Sequence, residues 1–279
     1  MQGKKIYQEK LFTQIQLSEL VPEDNLYRRL KSMLDIAYLS KSNNRKYKMC
    51  FSATASFGAS AVLCTIGIIT LAKAKTNPQR VFAGIPVIFA VQQLSEGLLW
   101  LSLKNTDLAA WKSTFTYAFL VFAMAVWPFW IPFSIWLLEK DVKRKKIIKG
   151  FVWIGAVVAV GVGFVLYFYP VEAITPFCST CPGSSTSSLT NHLHYEFAIP
   201  PFVKKLIVAF SVLYIAATII TPFISGIKKM KWLGIVFMAS YLFAISFYSG
   251  FVISVWCFFA ALLSFVVLWI ILDLRKLVL

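Results

Sequence analysis

Acidic residues and histidines are scarce in this chain of 279 residues: Asp and Glu number 12 against 28 Lys and Arg, and there are two histidines. Both histidines, His192 and His194, fall in one polar stretch. No apolar segment therefore carries the imidazole that a hydrolase or metalloenzyme buried in a membrane would use. No G-x-x-x-x-G-K-S/T and no G-x-G-x-x-G occurs, which excludes the two common phosphate-cradling loops. The last apolar run, 250–272, has no lysine, so it cannot hold a retinal-type Schiff base.

Apolar residues fill the space those absences leave. They make up 58% of the chain, 16% are aromatic, and only 14% are charged; the mean hydropathy is +0.71. This composition excludes an ordinary water-soluble domain and predicts an integral membrane protein. Seven runs are long enough to cross a hydrocarbon core of about 30 Å at about 1.5 Å per residue. They lie near 51–71, 81–103, 114–138, 147–169, 203–224, 232–248 and 250–272. The last two are nearly continuous, and only Tyr248-Ser249-Gly250 offers a turn between them. The expected fold is an all-α polytopic membrane protein, a seven-transmembrane helix bundle.

The cations set the expected orientation. Loops 72–80, 139–149 and 225–231 and the tail at Arg275 and Lys276 hold fourteen Lys and Arg, whereas the alternate loops hold only Lys104, Lys112, Lys204 and Lys205. The cation-rich set belongs in the cytoplasm, which places the N-terminus of the membrane part outside and its C-terminus inside. Cations sitting in short clusters between apolar runs argue against nucleic acid as a partner. The cluster within 140–149 suits anionic lipid headgroups.

Residues 1–48 conflict with that orientation, because they carry ten Lys and Arg and would have to sit outside. They form a basic polar leader with a weak helical pattern at Leu26, Leu30, Met33, Leu34 and Tyr38, and no signal-peptide apolar region. The stretches "MQGKKIYQEKLF" and "PEDNLYRRLK" resemble the start of an insertion-sequence transposase. Such an enzyme needs an acidic metal-binding triad, and the downstream acids Glu96, Asp107, Glu139, Asp141, Glu172, Glu196 and Asp273 lie in or beside the apolar runs. The leader is therefore expected to stand outside the functional unit, with the membrane protein's own start at Met49. Removal of that methionine would expose Cys50 as an N-terminal residue carrying both a free amine and a thiol.

From Met49 the chain opens with "MCFSATASF" and its second run contains "QQLSEGLLW". On these motifs residues 49–279 resemble a family of bacterial seven-span membrane proteins with no assigned function. The resemblance implies the fold and an inner-membrane address; it implies no reaction, substrate or catalytic residue.

Functional candidates come from polar residues placed where they cost energy. Glu96 is the only acid well inside a run, and a charge there is unfavourable by several kcal/mol unless it is paired, hydrated or protonated. Gln92 and Gln93 lie four and three residues before it and Trp100 four after, on one helical face. The four residues predict either an outward-opening pocket for a cation, a proton or a small polar ligand, or a carboxyl hydrogen-bonded between packed helices. Ser52, Ser56, Ser60 and Cys64 form a stripe expected to mark close helix packing. Pro128 and Pro132 should bend the third run.

The long outer loop 170–202 holds Cys178-x-x-Cys181 and His192-x-His194. Outside the cytoplasm the two thiols suit a disulfide, and the four residues together have the donor types for zinc or copper. Beyond that possible metal ion, no cofactor is expected. The leading expectation is a non-enzymatic sensor, receptor-like or small-ligand-binding protein. The alternatives are a transporter or channel, and a membrane thiol-redox or metal enzyme built on the loop.

Overall fold

A computed structural model describes residues 53–174, 193–247 and 252–276. The chain divides into two compact units, 1–49 and 50–279, and every described residue belongs to the second. The leader, Cys50, Cys178, Cys181 and His192 lie outside the described residues.

Helices dominate. The first is α1, Ala53–Lys73; a break at Gly84, two residues before Pro86, then separates α2, Asn77–Ala83, from α3, Ile85–Lys104. The third run comprises a 3-10 turn at Thr106–Trp111, α4 at Lys112–Leu120, a π-helical turn at Val121–Val126 and α5 at Trp127–Leu138. α6, Val142–Phe168, is the longest single helix among the described residues. After the outer loop come α7, Pro201–Ile215, a second π-helical turn at Ala216–Ile220 and the short α8, Thr221–Ile224. α9, Met230–Phe247, is followed by α10, Val252–Ala260, and α11, Leu263–Lys276.

Among the described residues six helical stretches are long and apolar enough to cross a membrane: Ala53–Lys73, Asn77–Lys104, Thr106–Leu138, Val142–Phe168, Pro201–Ile224 and Met230–Phe247. The seventh expected run is divided. Leu262, Ser264 and Phe265 donate to carbonyls three residues back, and this tightening separates α10 from α11 where the sequence has no proline or glycine. The expected bend in the third run takes the form of the π-helical turn just before Pro128. A second such turn stands just before Pro222. In both, the proline withholds a backbone donor and crowds the preceding turn, and the wider turn relieves the crowding.

The outward faces carry large apolar side chains. On α6, Trp153, Val157, Val160 and Phe164 recur at helical spacing and are 56% to 74% exposed. That stripe would be costly in water and suits lipid. The small-residue stripe of α1 behaves as a packing face: Ser56 is buried and the Ser60 hydroxyl donates to the Ala90 carbonyl at 2.8 Å. Cys64 is exposed.

Two apolar clusters mark the two ends of the bundle. One, around Phe82, Ile135 and Ile271, adjoins the cation-bearing turns. The other, around Leu99, Phe119 and Val255, adjoins the outer loop. There the all-α bundle carries one short hairpin: β1, Val171–Ile174, and β2, His194–Phe197, run antiparallel and pair Ala173 with Tyr195. The Val171 amide donates to the Tyr117 hydroxyl, tying the hairpin to α4.

Candidate functional site

Glu96 lies on α3, in the most buried of the six membrane-length stretches, and is fully buried together with Gln92 and Gln93. Trp100 is 2% exposed. The four residues that sequence spacing placed on one face therefore do face the interior together.

Three other elements close around them. From α10, the Ser254 hydroxyl donates a short hydrogen bond to Glu96 Oε1. From α5, Trp127 Nε1 donates to Gln92 Oε1 at 2.6 Å, while its ring stacks on Phe89 at 3.9 Å. From β2, Tyr195 packs parallel to Phe119 at 5.6 Å and lies within electrostatic reach of Glu96. The Cys257 thiol, also on α10, lies against Gln92 and within the same reach of Glu96. Sequence spacing could not find Ser254, Tyr195 or Trp127, because each meets the cluster from a distant part of the chain.

The cluster is under-satisfied. Glu96 Oε2, Gln92 Nε2, both polar atoms of Gln93, Trp100 Nε1 and the Tyr195 hydroxyl are buried without a hydrogen-bond partner. Buried polar atoms are normally paired, and leaving one open costs about 1–3 kcal/mol. Here several gather in one place. Burial, aided by Glu96 and Cys257, pushes the Tyr195 phenol well above its ordinary value of 10.0, so it offers a proton. Open donors (Gln92 Nε2, Gln93 Nε2, Trp100 Nε1, Tyr195) thus exceed open acceptors (Glu96 Oε2, Gln93 Oε1). The arrangement therefore leaves hydrogen-bonding capacity, mostly of donors, unmet inside the bundle. Among the described residues Glu96 has no ion-pair partner; the ion pair there is Lys229–Asp273, at the other end.

Of the proposed metal set only His194 lies among the described residues. His194 opens β2 opposite Ile174, and among the described residues no group of three or more His, Cys, Asp or Glu is placed to hold an ion. Cys178, Cys181 and His192 lie outside those residues, as does Cys50.

Residues 49–277 match the model of a family described as "Family of unknown function (DUF6629)". The chain belongs to DUF6629. No curated protein and no solved structure matches it. The DUF6629 match begins at Met49, where the apolar part of the sequence opens, and takes in the whole Glu96 cluster and the outer loop; residues 1–48 fall outside it. The family description names no activity.

Proposed function

We propose that residues 49–279 form a seven-crossing bundle of a bacterial inner membrane that senses or binds a small polar ligand, without enzymatic activity, at the Glu96 cluster. The observation that carries this reading is the set of open polar atoms around a fully buried acid. Intramembrane acids are functional by default when no structural partner accounts for them. Here Ser254 bonds one oxygen, and the other, near Gln93, has no partner at hydrogen-bonding geometry.

Seven crossings are supported by the return of the last run. α10 meets Glu96 near the hairpin end, and Asp273 of α11 pairs with Lys229 at the cation-bearing end. With the cation-rich loops inside, the membrane part is N-outside and the Glu96 cluster sits nearer the outer surface. The cations of 140–149 then meet anionic headgroups, and residues 1–48 are a fused leader that is not part of the functional unit. Intact mass of the protein made from its own gene tests the leader: a chain beginning at Met49 or Cys50 supports this division, and one beginning at Met1 opposes it.

The ligand reading is tested by screening small polar molecules for thermal stabilisation of the purified full chain. Stabilisation that disappears in Glu96→Gln supports it; a screen whose hits are indifferent to Glu96 removes it. Transport is the second reading, favoured by the paired interruptions before Pro128 and Pro222, since broken helices in two spans commonly border a translocation site. Solute flux into liposomes unchanged by Glu96→Gln would oppose it. The thiol-redox or metal alternative rests on loop 170–202, and thiol trapping with metal analysis decides it.

A further inference from the structure

A groove of about 710 Å³ opens on the outward side of the bundle, between the first π-helical turn, α5 and α6. Phe122, Phe129 and Trp130 stand on one side of it, and Ala156, Ala159 and Val160 on the other. No charged residue lines it. The room comes from the two alanines, since elsewhere the outward face of α6 carries large side chains such as Trp153 and Phe164.

The groove leads to cations. Along α6, Lys145, Lys149, Ala156 and Val160 recur at spacings of four, seven and four, so they share one face of the helix. Along α5, the Phe129 ring stacks on Phe133 at 5.2 Å and Phe133 on Trp136 at 6.2 Å. Lys145 Nζ then lies 5.2 Å from the centre of the Trp136 ring. A strip of aromatic rings thus joins the groove to Lys145. The acids nearest in sequence are engaged elsewhere: Glu139 accepts from the Lys140 and Asp141 amides, and Asp141 from the Arg144 amide. Among the described residues neither Lys145 nor Lys149 has an ion-pair partner. Depth fits as well. Lys149 is the last charged residue of α6, and the helix from there to Val160 is about 16 Å long, against about 15 Å for half of a hydrocarbon core.

We propose that the groove holds one acyl chain of an anionic diacyl phospholipid of the cytoplasmic leaflet, with the lipid's phosphate between Lys145 and Lys149. The chain meets an apolar slot one leaflet deep, and the phosphate meets two cations that lack an acid partner. Charge decides between the occupants. Two copies in one membrane share their orientation, so a second copy packed here by its own α6 would bring its 143–149 cations against these. A zwitterionic lipid would fill the slot and leave the lysines unneutralised. The choice of leaflet rests on the reading that sets the cation-rich loops inside. Lys143 and Lys228 are exposed at the same end but lie off this face, so they meet headgroups only as diffuse charge.

The full chain in mild detergent is titrated with phosphatidylglycerol or phosphatidylcholine of identical acyl chains, and bound lipids are counted by native mass spectrometry. One phosphatidylglycerol is expected to be held at least about tenfold more tightly than phosphatidylcholine, the worth of two lysines beside an anionic group. Lys145→Gln with Lys149→Gln should remove that preference. Lys143→Gln with Lys228→Gln, which takes the same charge from the same end, should keep it. Val160→Trp should weaken both lipids, and because Val160 is exposed the larger ring enters the groove without disturbing the packed core. Equal retention of the two lipids, indifference to Val160→Trp, or a dimer that excludes lipid overturns the proposal. Equal losses in the two lysine pairs also overturn it, and leave only diffuse attraction of the cation-rich loops to anionic headgroups. If phosphatidylglycerol is preferred at no stoichiometry, that headgroup reading fails as well.

Discussion

α6 crosses α5 so closely at Gly155 that a Cβ built there would lie 1.8 Å from the Pro128 carbonyl oxygen. The contact has a covalent origin. Pro132 lies inside α5 and has no N–H, so the Pro128 carbonyl lacks the donor that a helix ordinarily supplies four residues on. Glycine lets the neighbouring backbone approach, as small residues do where spans touch. Gly155→Ala forces backbone apart rather than a flexible tip, so it should cost at least the roughly 1–3 kcal/mol of an overpacked core. Gly163, on the same helix, has open space around its Cβ position, and Gly163→Ala should be neutral or stabilising by up to about 1 kcal/mol. Thermal unfolding of the two variants in one detergent checks the pair; equal behaviour would mean α6 does not cross there.

Trp127 and Gln92 make the second decisive contact, because the indole fixes which way the amide points. Trp127→Phe should keep the ring on Phe89 but leave Gln92 Oε1 buried and unpaired, at a cost of about 1–3 kcal/mol. Adding Gln92→Leu removes the stranded acceptor together with the open Nε2, and the double variant should recover most of that loss. Chemical or thermal unfolding of the three variants shows whether the two effects couple. Simple additivity would deny the bond.

At the cation-bearing end Glu139 holds two turns together. Its Oε1 accepts from the Lys140 and Asp141 amides, each at 3.1 Å, and its Oε2 from the Ser225 hydroxyl at 3.0 Å and the Gly226 amide at 2.7 Å. Burial alone would raise the carboxyl's affinity for protons, but the hydrogen bonds outweigh it and hold the group below its ordinary 4.5. A carboxyl depressed on folding contributes its stability fully above the unfolded value and loses it as pH falls through the lower folded value. Acid unfolding of the parent should therefore steepen below about pH 4.5. Glu139→Gln, which turns an amide donor toward other donors, should lose about 1.5–3 kcal/mol at neutral pH and flatten that acid limb. An unchanged limb would assign the acid sensitivity elsewhere.

The helices were legible because each apolar run exceeds what a crossing needs, and the site helix because Glu96 is an acid alone in such a run. The partners were not. Ser254 is 158 residues from Glu96 and Trp127 is 35 from Gln92, and in "FVISVWCFF" a serine looks like any small packing residue. The hairpin escaped because its strands are four residues each and lie far apart in sequence. Pro128 announced the irregularity of the third run. The division of the last run at 261–262 carries no such signal, since it is made by backbone hydrogen bonds alone. Tertiary packing decided these points.

Lys229 and Asp273 test that last run from its far end. Lys229 Nζ lies 2.6 Å from Asp273 and 4.5 Å from the centre of the Trp269 ring, so α11 finishes beside the turn that opens α9. Both side chains are partly exposed, 27% and 34%, and an ion pair of this kind contributes about 0.2–1 kcal/mol. The size matters less than the pattern. Lys229→Glu should destabilise by placing two acids together, Asp273→Lys should do the same with two cations, and the double exchange should restore most of the parent's unfolding temperature. High salt should shrink all three effects. If the double exchange is no better than the sum of the single ones, the two residues do not meet, and a last run that returns to the cation-bearing end loses its anchor.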